Sequence, residues 1–218
     1  VAAARAADAC VVVVGTDRET ENEGRDRPDL DLPGDQNLLI ASVLAANPRT
    51  AVVLVAGSAV VMPWLGERGP AVLDAWFPGE EGGSALAAVL FGDEEPGGRL
   101  PLAFPASAAD LPPLDDYDVA RGRTYMHAKA PPLFPFGFGL GYTVMEVLDV
   151  RLNGDGLDAG GTLRATTRVR NRGRRPGETV VQAYVTGPAG TRLRAFQRVR
   201  LAAGETREVE MQVRYADL

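Results

Sequence analysis

The apolar positions of the chain follow two regimes. Up to about residue 140, short unbroken apolar runs alternate with stretches of helical spacing. Val11-Val12-Val13-Val14-Gly15 and Ala51-Val52-Val53-Leu54-Val55 are continuous runs, as expected of strands covered on both faces. Ala71-Val72-Leu73-Asp74-Ala75-Trp76 reads as a third strand, stopped by Pro78-Gly79. Between the first two runs, Leu38, Leu39, Ile40, Val43 and Leu44 recur at helical spacing. Asp35 is placed to cap that helix and Asn47-Pro48 to end it. Residues 1–9 read as the end of a helix, and residues 84–91 as a further one with Leu86, Val89 and Leu90 on one face. Strands and helices alternating over short connectors predict a mostly parallel sheet sandwiched by helices.

From about residue 144, apolar and charged positions alternate singly. Leu163, Ala165, Thr167 and Val169 share one face of a strand, and Val209, Met211 and Val213 share one face of another. With the strands around Val147–Leu152, Val180–Val185 and Arg194–Leu201, and turns rich in Gly, Pro and Asn, this predicts an antiparallel β-sandwich. The expected division is an α/β domain over 1–143, incomplete at its start, and a β-sandwich over 144–218, truncated at its end. An unpaired sheet edge left there would invite association, so an oligomer is open. Residues 92–140 are irregular and rich in proline, a connection expected to drape over a surface. Its aromatics, Tyr125, Phe134, Phe136 and Phe138, are expected chiefly as packing anchors, with the wall of a sugar site as the alternative.

Composition narrows the partners. With 45% hydrophobic and 24% charged residues the chain is that of an ordinary globular protein. Its net charge of -6 argues against a nucleic-acid partner. The apolar runs are too short to span a membrane. The single histidine, His127, argues against a His-rich metal cluster, and the single cysteine, Cys10, is expected as a buried thiol. Compartment is left undetermined.

The chemistry-bearing stretch is the acidic loop of residues 19–36, between the first strand and the first long helix. Carboxylates beyond the carboxyl end of a buried parallel strand stand where α/β sheets present chemistry. Crowding Glu19, Glu21 and Glu23 could raise one pKa far enough for proton donation near neutral pH. Taken alone, a solvated acidic loop with surface ion pairs is the simpler account.

The loop does not stand alone. Glu23-Gly24-Arg25-Asp26-Arg27-Pro28-Asp29-Leu30-Asp31-Leu32-Pro33-Gly34-Asp35-Gln36 is followed by Pro63-Trp64, by Ala75-Trp76-Phe77-Pro78-Gly79-Glu80-Glu81-Gly82-Gly83 and by Leu90-Phe91-Gly92-Asp93. Pro96-Gly97-Gly98-Arg99-Leu100-Pro101, Pro132-Leu133-Phe134-Pro135-Phe136-Gly137-Phe138-Gly139-Leu140 and Tyr142-Thr143 complete the order. In number, order and spacing these resemble the carboxyl-terminal part of glycoside hydrolase family 3, the β-glucosidase and β-xylosidase family. Arg170-Asn171-Arg172-Gly173, Phe196-Gln197-Arg198-Val199 and Gly204-Glu205 resemble the fibronectin type III-like domain of the same enzymes.

The resemblance implies retaining hydrolysis of β-linked glycosides, with glucose, or else xylose, as the sugar and no metal or organic cofactor. It implies a nucleophilic aspartate on an amino-terminal (β/α)₈ barrel that this chain lacks, so the piece alone is expected to be inactive. It places the acid/base glutamate on the acidic loop: Glu23 by position, with Glu21 as runner-up and Glu19 third. Gly24 is expected to let the backbone turn sharply and aim Glu23, and Asp26 and Arg27 to brace the loop. Arg121-Gly122-Arg123-Thr124-Tyr125-Met126 departs from the family's usual Gly-Tyr-Arg-Tyr pattern, which leaves the contacts on the aglycone side open. The competing account is a binding or scaffold module that holds a sugar or a partner without chemistry.

Overall fold

A computed structural model of the protein describes residues 1–66, 69–154, 156, 159–188 and 190–217. They gather into two compact units. One comprises Val1–Ala87, Leu102–Arg123 and Ala128–Pro135; the other comprises Ala88–Pro101, Thr124–His127 and Phe136–Leu218.

The first unit runs α1 (Ala2–Ala6), β1 (Cys10–Gly15), α2 (Gln36–Ala46), β2 (Thr50–Val55), β3 (Ala71–Asp74) and into α3 (Gly82–Phe91). The strands pair in parallel in the order β1-β2-β3, with Val12 beside Val52 beside Val72, and Val14 beside Leu54 beside Asp74. The central strand is buried on both faces, through Val52, Val53 and Leu54. The edge strand β1 is not: Val12 and Val14 are buried, but Val11 and Val13 are 52% and 62% exposed. The expected double cover thus fails for β1, because a run of valines records strand propensity and not which faces have neighbours. Cys10, expected as a buried thiol, is half-buried, with its Sγ 3.8 Å from the Ala4 carbonyl.

The helix α2 packs on β1 and β2, burying Ile40 and Val43. Leu38 and Leu39 are exposed, since they lie off the stripe that Ile40, Val43 and Asn47 define at helical spacing. Asp35 stands at the N-cap, yet its side chain makes no capping bond. The neighbouring Gln36 instead reaches back to β1, accepting the Gly15 N–H at 2.7 Å and donating to the Gly15 carbonyl at 2.9 Å. At the other end the buried Asn47 donates to the carbonyls of Ala4 and Ala7, at 3.0 and 2.8 Å, and so pins α1. Strand β3 stops at Asp74, short of the expected Trp76, because Trp76 takes φ 51° and turns the chain out of the sheet. Among the described residues no helix is long and apolar enough to cross a membrane.

The second unit contains β4 (Met145–Leu152), β5 (Thr162–Asn171), β6 (Gly177–Gly187), β7 (Gly190–Leu201) and β8 (Thr206–Arg214). They form two antiparallel sheets, β4-β5-β8 and β6-β7. Val169, Val209 and Met211 of one sheet close on Val181, Val199 and Leu201 of the other. The single-residue alternation along β5 is realised as expected, with Thr167 and Val169 buried and Arg168 and Arg170 exposed. The outward charges pair across strands, as in Arg168–Asp149 and Arg151–Glu208.

Two chain segments are tied to this sandwich. Leu100 N–H donates to Phe138 O and Gly137 N–H to Leu100 O, both at 2.8 Å. The Arg99 guanidinium donates to the Thr179 hydroxyl at 2.8 Å. The Tyr125 ring stacks on Phe136 with centroids 4.1 Å apart and meets Tyr184 edge-on at 6.4 Å. These rings anchor one another. Asn171 satisfies the turn that follows β5. Its Nδ2 donates to the carbonyls of Arg175 and Leu201, at 2.8 and 3.3 Å. Its Oδ1 accepts the Thr143 hydroxyl and the Gly173 N–H, at 2.5 and 2.9 Å.

Asn171 is wholly buried, so Asn171→Leu strands each of those partners. At about 1–3 kcal/mol for a buried polar group left unpaired, the variant should lose about 3 kcal/mol or more in urea unfolding. A loss below about 1 kcal/mol would show that the turn closes without the amide.

Candidate active site

Parallel strands present their carboxyl ends at one edge of a sheet, and the loops leaving β1, β2 and β3 there define the site. The loop after β1 is built by its own polar groups. Asp17 Oδ1 accepts the N–H groups of Glu19 and Thr20, both at 3.0 Å, and the Thr20 hydroxyl at 2.9 Å. The Thr20 bonds hold the Asp17 carboxyl below its ordinary range. Asn22 repeats the device. Its Oδ1 accepts the Gly24 N–H at 3.0 Å, its carbonyl accepts the Arg25 N–H at 3.1 Å, and its Nδ2 donates to Arg18 O at 2.9 Å. Arg25 then donates through its guanidinium to Glu19 O at 2.9 Å. Gly24 takes no left-handed φ. The expectation that its freedom makes the bend is therefore corrected: the Asn22 side chain closes the turn, as short polar side chains do.

Glu23 follows Asn22 in this turn and is exposed, as is Glu19. No hydrogen bond or ion pair found among the described residues holds either carboxylate. Glu21 differs. It is half-buried, and its Oε2 accepts the Thr16 hydroxyl at 2.7 Å and the Gly57 N–H at 3.3 Å. Burial pushes its pKa up, but hydrogen bonds from Ser58, Thr16 and Gly57 and the charge of Arg27 outweigh that and set it below the ordinary value. Arg27 donates to the Ser58 hydroxyl at 3.2 Å, to Ala59 O at 3.3 Å and to Asp31 O at 2.8 Å. It thereby braces the loop, while its neighbour Asp26 is exposed. Trp64 Nε1–H donates to Asn37 Oδ1 at 2.9 Å and fixes the loop after β2 to the first turn of α2.

The carboxyl pushed upward is one that the sequence did not single out. Burial raises Asp74, at the end of β3, to about 6, opposed by the Trp76 N–H at 3.3 Å. Its Oδ2 is buried without a hydrogen-bond partner. The available signal was an acidic residue closing the apolar run Ala71-Val72-Leu73, which periodicity alone reads as a strand end. Among the described residues no group of three or more His, Cys, Asp or Glu side chains is placed to hold a metal ion.

Comparison with known proteins places the chain. Residues 1–142 match the model of the glycosyl hydrolase family 3 C-terminal domain, and residues 179–218 that of a fibronectin type III-like domain. A β-glucosidase of Rhizobium radiobacter is 41% identical over 237 residues, covering 99% of this chain and 29% of that protein. A β-xylosidase of Formosa agariphila is 35% identical, covering 100% of this chain and 32% of its own length. A crystal structure of a β-glucosidase from Streptomyces venezuelae in complex with D-glucose superposes with a TM-score of 0.84 at 40% identity, over 97% of this chain and 29% of that one. The β-glucosidase of Kluyveromyces marxianus in complex with glucose gives 0.87 at 32% identity, over 99% and 28%. The chain thus spans under a third of the length of these relatives.

The Asp74 carboxyl has a direct consequence for stability. Its folded pKa lies above the unfolded value of 3.8. The favourable state is therefore the protonated one, fully present below about pH 4 and lost as pH rises through 6. Asp74→Asn should raise the melting temperature at pH 7–8, with the gain shrinking to nothing below about pH 4. A gain that is the same at both pH values would remove the ionisation from the account.

Proposed function

The chain belongs to glycosyl hydrolase family 3, and on that premise we propose that it is the carboxyl-terminal part of a retaining β-glycosidase. In this reading residues 1–143 form the α/β domain and residues 144–218 the fibronectin type III-like domain. The substrate is a terminal non-reducing β-D-glycoside, foremost a β-D-glucoside, since β-glucosidases recur among the relatives. The nucleophilic carboxylate comes from a (β/α)₈ barrel outside this chain, and the chain by itself does not turn over substrate.

Glu23 is the acid/base. In a retaining enzyme two carboxyls stand about 5–5.5 Å apart across the scissile bond. As the nucleophile attacks the anomeric carbon and the bond to the leaving oxygen breaks, the Glu23 carboxylic acid transfers its proton to that oxygen. The resulting carboxylate then takes a proton from water, whose oxygen attacks the anomeric carbon and frees the nucleophile. The observation that carries this assignment against Glu21 is the contrast within the loop, while position in the family motif favours Glu23 over the equally exposed Glu19. Glu23 presents an unengaged carboxyl at a turn closed by Asn22. Glu21 is spent on Thr16 and Gly57 and held in its anionic form, which suits a brace and not a proton donor.

Leaving groups discriminate. In the full-length enzyme Glu23→Gln should slow glycosides with poor leaving groups by about 10²–10⁴-fold and activated aryl glycosides far less, because only the former need protonation. Equal losses for both classes would argue for a structural role. Unchanged turnover of both would leave a non-catalytic sugar-binding module as the better account.

A further inference from the structure

Three energetically unfavourable features meet at the turn leaving β3. Trp76 takes φ 51°, in the left-handed region that bulky side chains rarely adopt. Asp74 Oδ2 is buried without a partner. Phe77 is 57% exposed. Strain of this kind persists where the surroundings enforce it, and it concentrates at ligand contacts.

The surroundings here are specific. Trp76 meets the buried Phe104 edge-on at 6.4 Å, which fixes one side of the turn. On the other side the Phe77 ring lies over the bare Cα of Gly57. A Cβ there would come 2.6 Å from Phe77 Cε2 and 3.3 Å from Glu21 Oε1. The ring and the Glu21 carboxylate therefore share one glycine, whose N–H also holds that carboxylate. At the left-handed Trp76 the chain lays one half-buried aromatic against Phe104 and sets the next, exposed, against the corner that holds Glu21.

We propose that Phe77 is the apolar contact for the leaving group of the glycoside, taking an aryl aglycone or the C–H face of a second pyranose ring. This rests on proton donation by Glu23. The chemistry then fixes the side of the bond: a proton donor must reach the departing oxygen, so an exposed ring flanking its loop meets the leaving group and not the sugar being transferred. Aryl groups and pyranose C–H faces both pack well on an aromatic face.

Non-hydrolysable thioglycosides separate this contact from catalysis. In the full-length protein, calorimetry is run with phenyl and methyl 1-thio-β-D-glucopyranoside. Phe77→Ala should weaken the phenyl compound about 3- to 10-fold and leave the methyl compound unchanged, while Phe77→Tyr retains the aryl preference. Equal weakening of both ligands, or no weakening of either, overturns the proposal, as does failure of the wild type to bind either one. If Glu23→Gln keeps the wild-type dependence on leaving group while Phe77→Ala loses the aryl preference, the contact stands and the donor is wrongly assigned.

Discussion

The Glu21 carboxylate joins the ends of two strands. It lies half-buried where β1 and β2 finish, between the Thr16 hydroxyl and the Gly57 N–H, with Arg27 nearby bonding to Ser58, Ala59 and Asp31. Desolvation alone would drive such a group toward its neutral form, and without these donors the corner would carry an unpaired charge. Because donors and cation outweigh burial, the group is anionic at neutral pH, and it ties the start of the long loop after Thr16 to the chain leaving β2. The turn of Asn22, Glu23 and Arg25 follows directly on that anchor and is closed by Asn22 itself.

The second unit solves a comparable problem with a neutral side chain. A sandwich held by Val169, Val181, Val199, Leu201, Val209 and Met211 must still satisfy the backbone where β5 leaves the sheet. Asn171 supplies two donors and a doubly used acceptor at that point, wholly buried. An amide suits the place because it carries no charge to desolvate and offers both polarities within one plane. The motif Arg170-Asn171-Arg172-Gly173, which carries part of the fibronectin type III-like resemblance, has this hub as its physical content.

Around the acidic loop the turns are fixed locally, although the sequence reading placed the bend on Gly24. Asp17, Asn22 and Thr20 act on neighbours within a few residues, a local signal that the sequence carries. The division of labour among the three glutamates is not local. Glu19, Glu21 and Glu23 alternate in the chain and look equivalent, yet only Glu21 meets Gly57, which lies far along the sequence. The same limit hid Asp74. Its elevated pKa comes from burial at a strand end whose cover is set by other segments, and its partnerless oxygen could not be seen without them.

The alternation of apolar and polar positions settled the order of strands and helices, the parallel character of the first sheet and the antiparallel pairing of the second. Those properties depend on propensity and period, which each segment carries with it. The string of loop motifs settled the family. What awaited the folded chain was every property that depends on what lies opposite: exposure of Val11 and Val13 on an edge strand, of Leu38 and Leu39 off the buried stripe, and of Phe77 over Gly57. Burial, pKa and the availability of a carboxyl for chemistry are pairwise quantities between distant residues, and only tertiary structure brings those residues together.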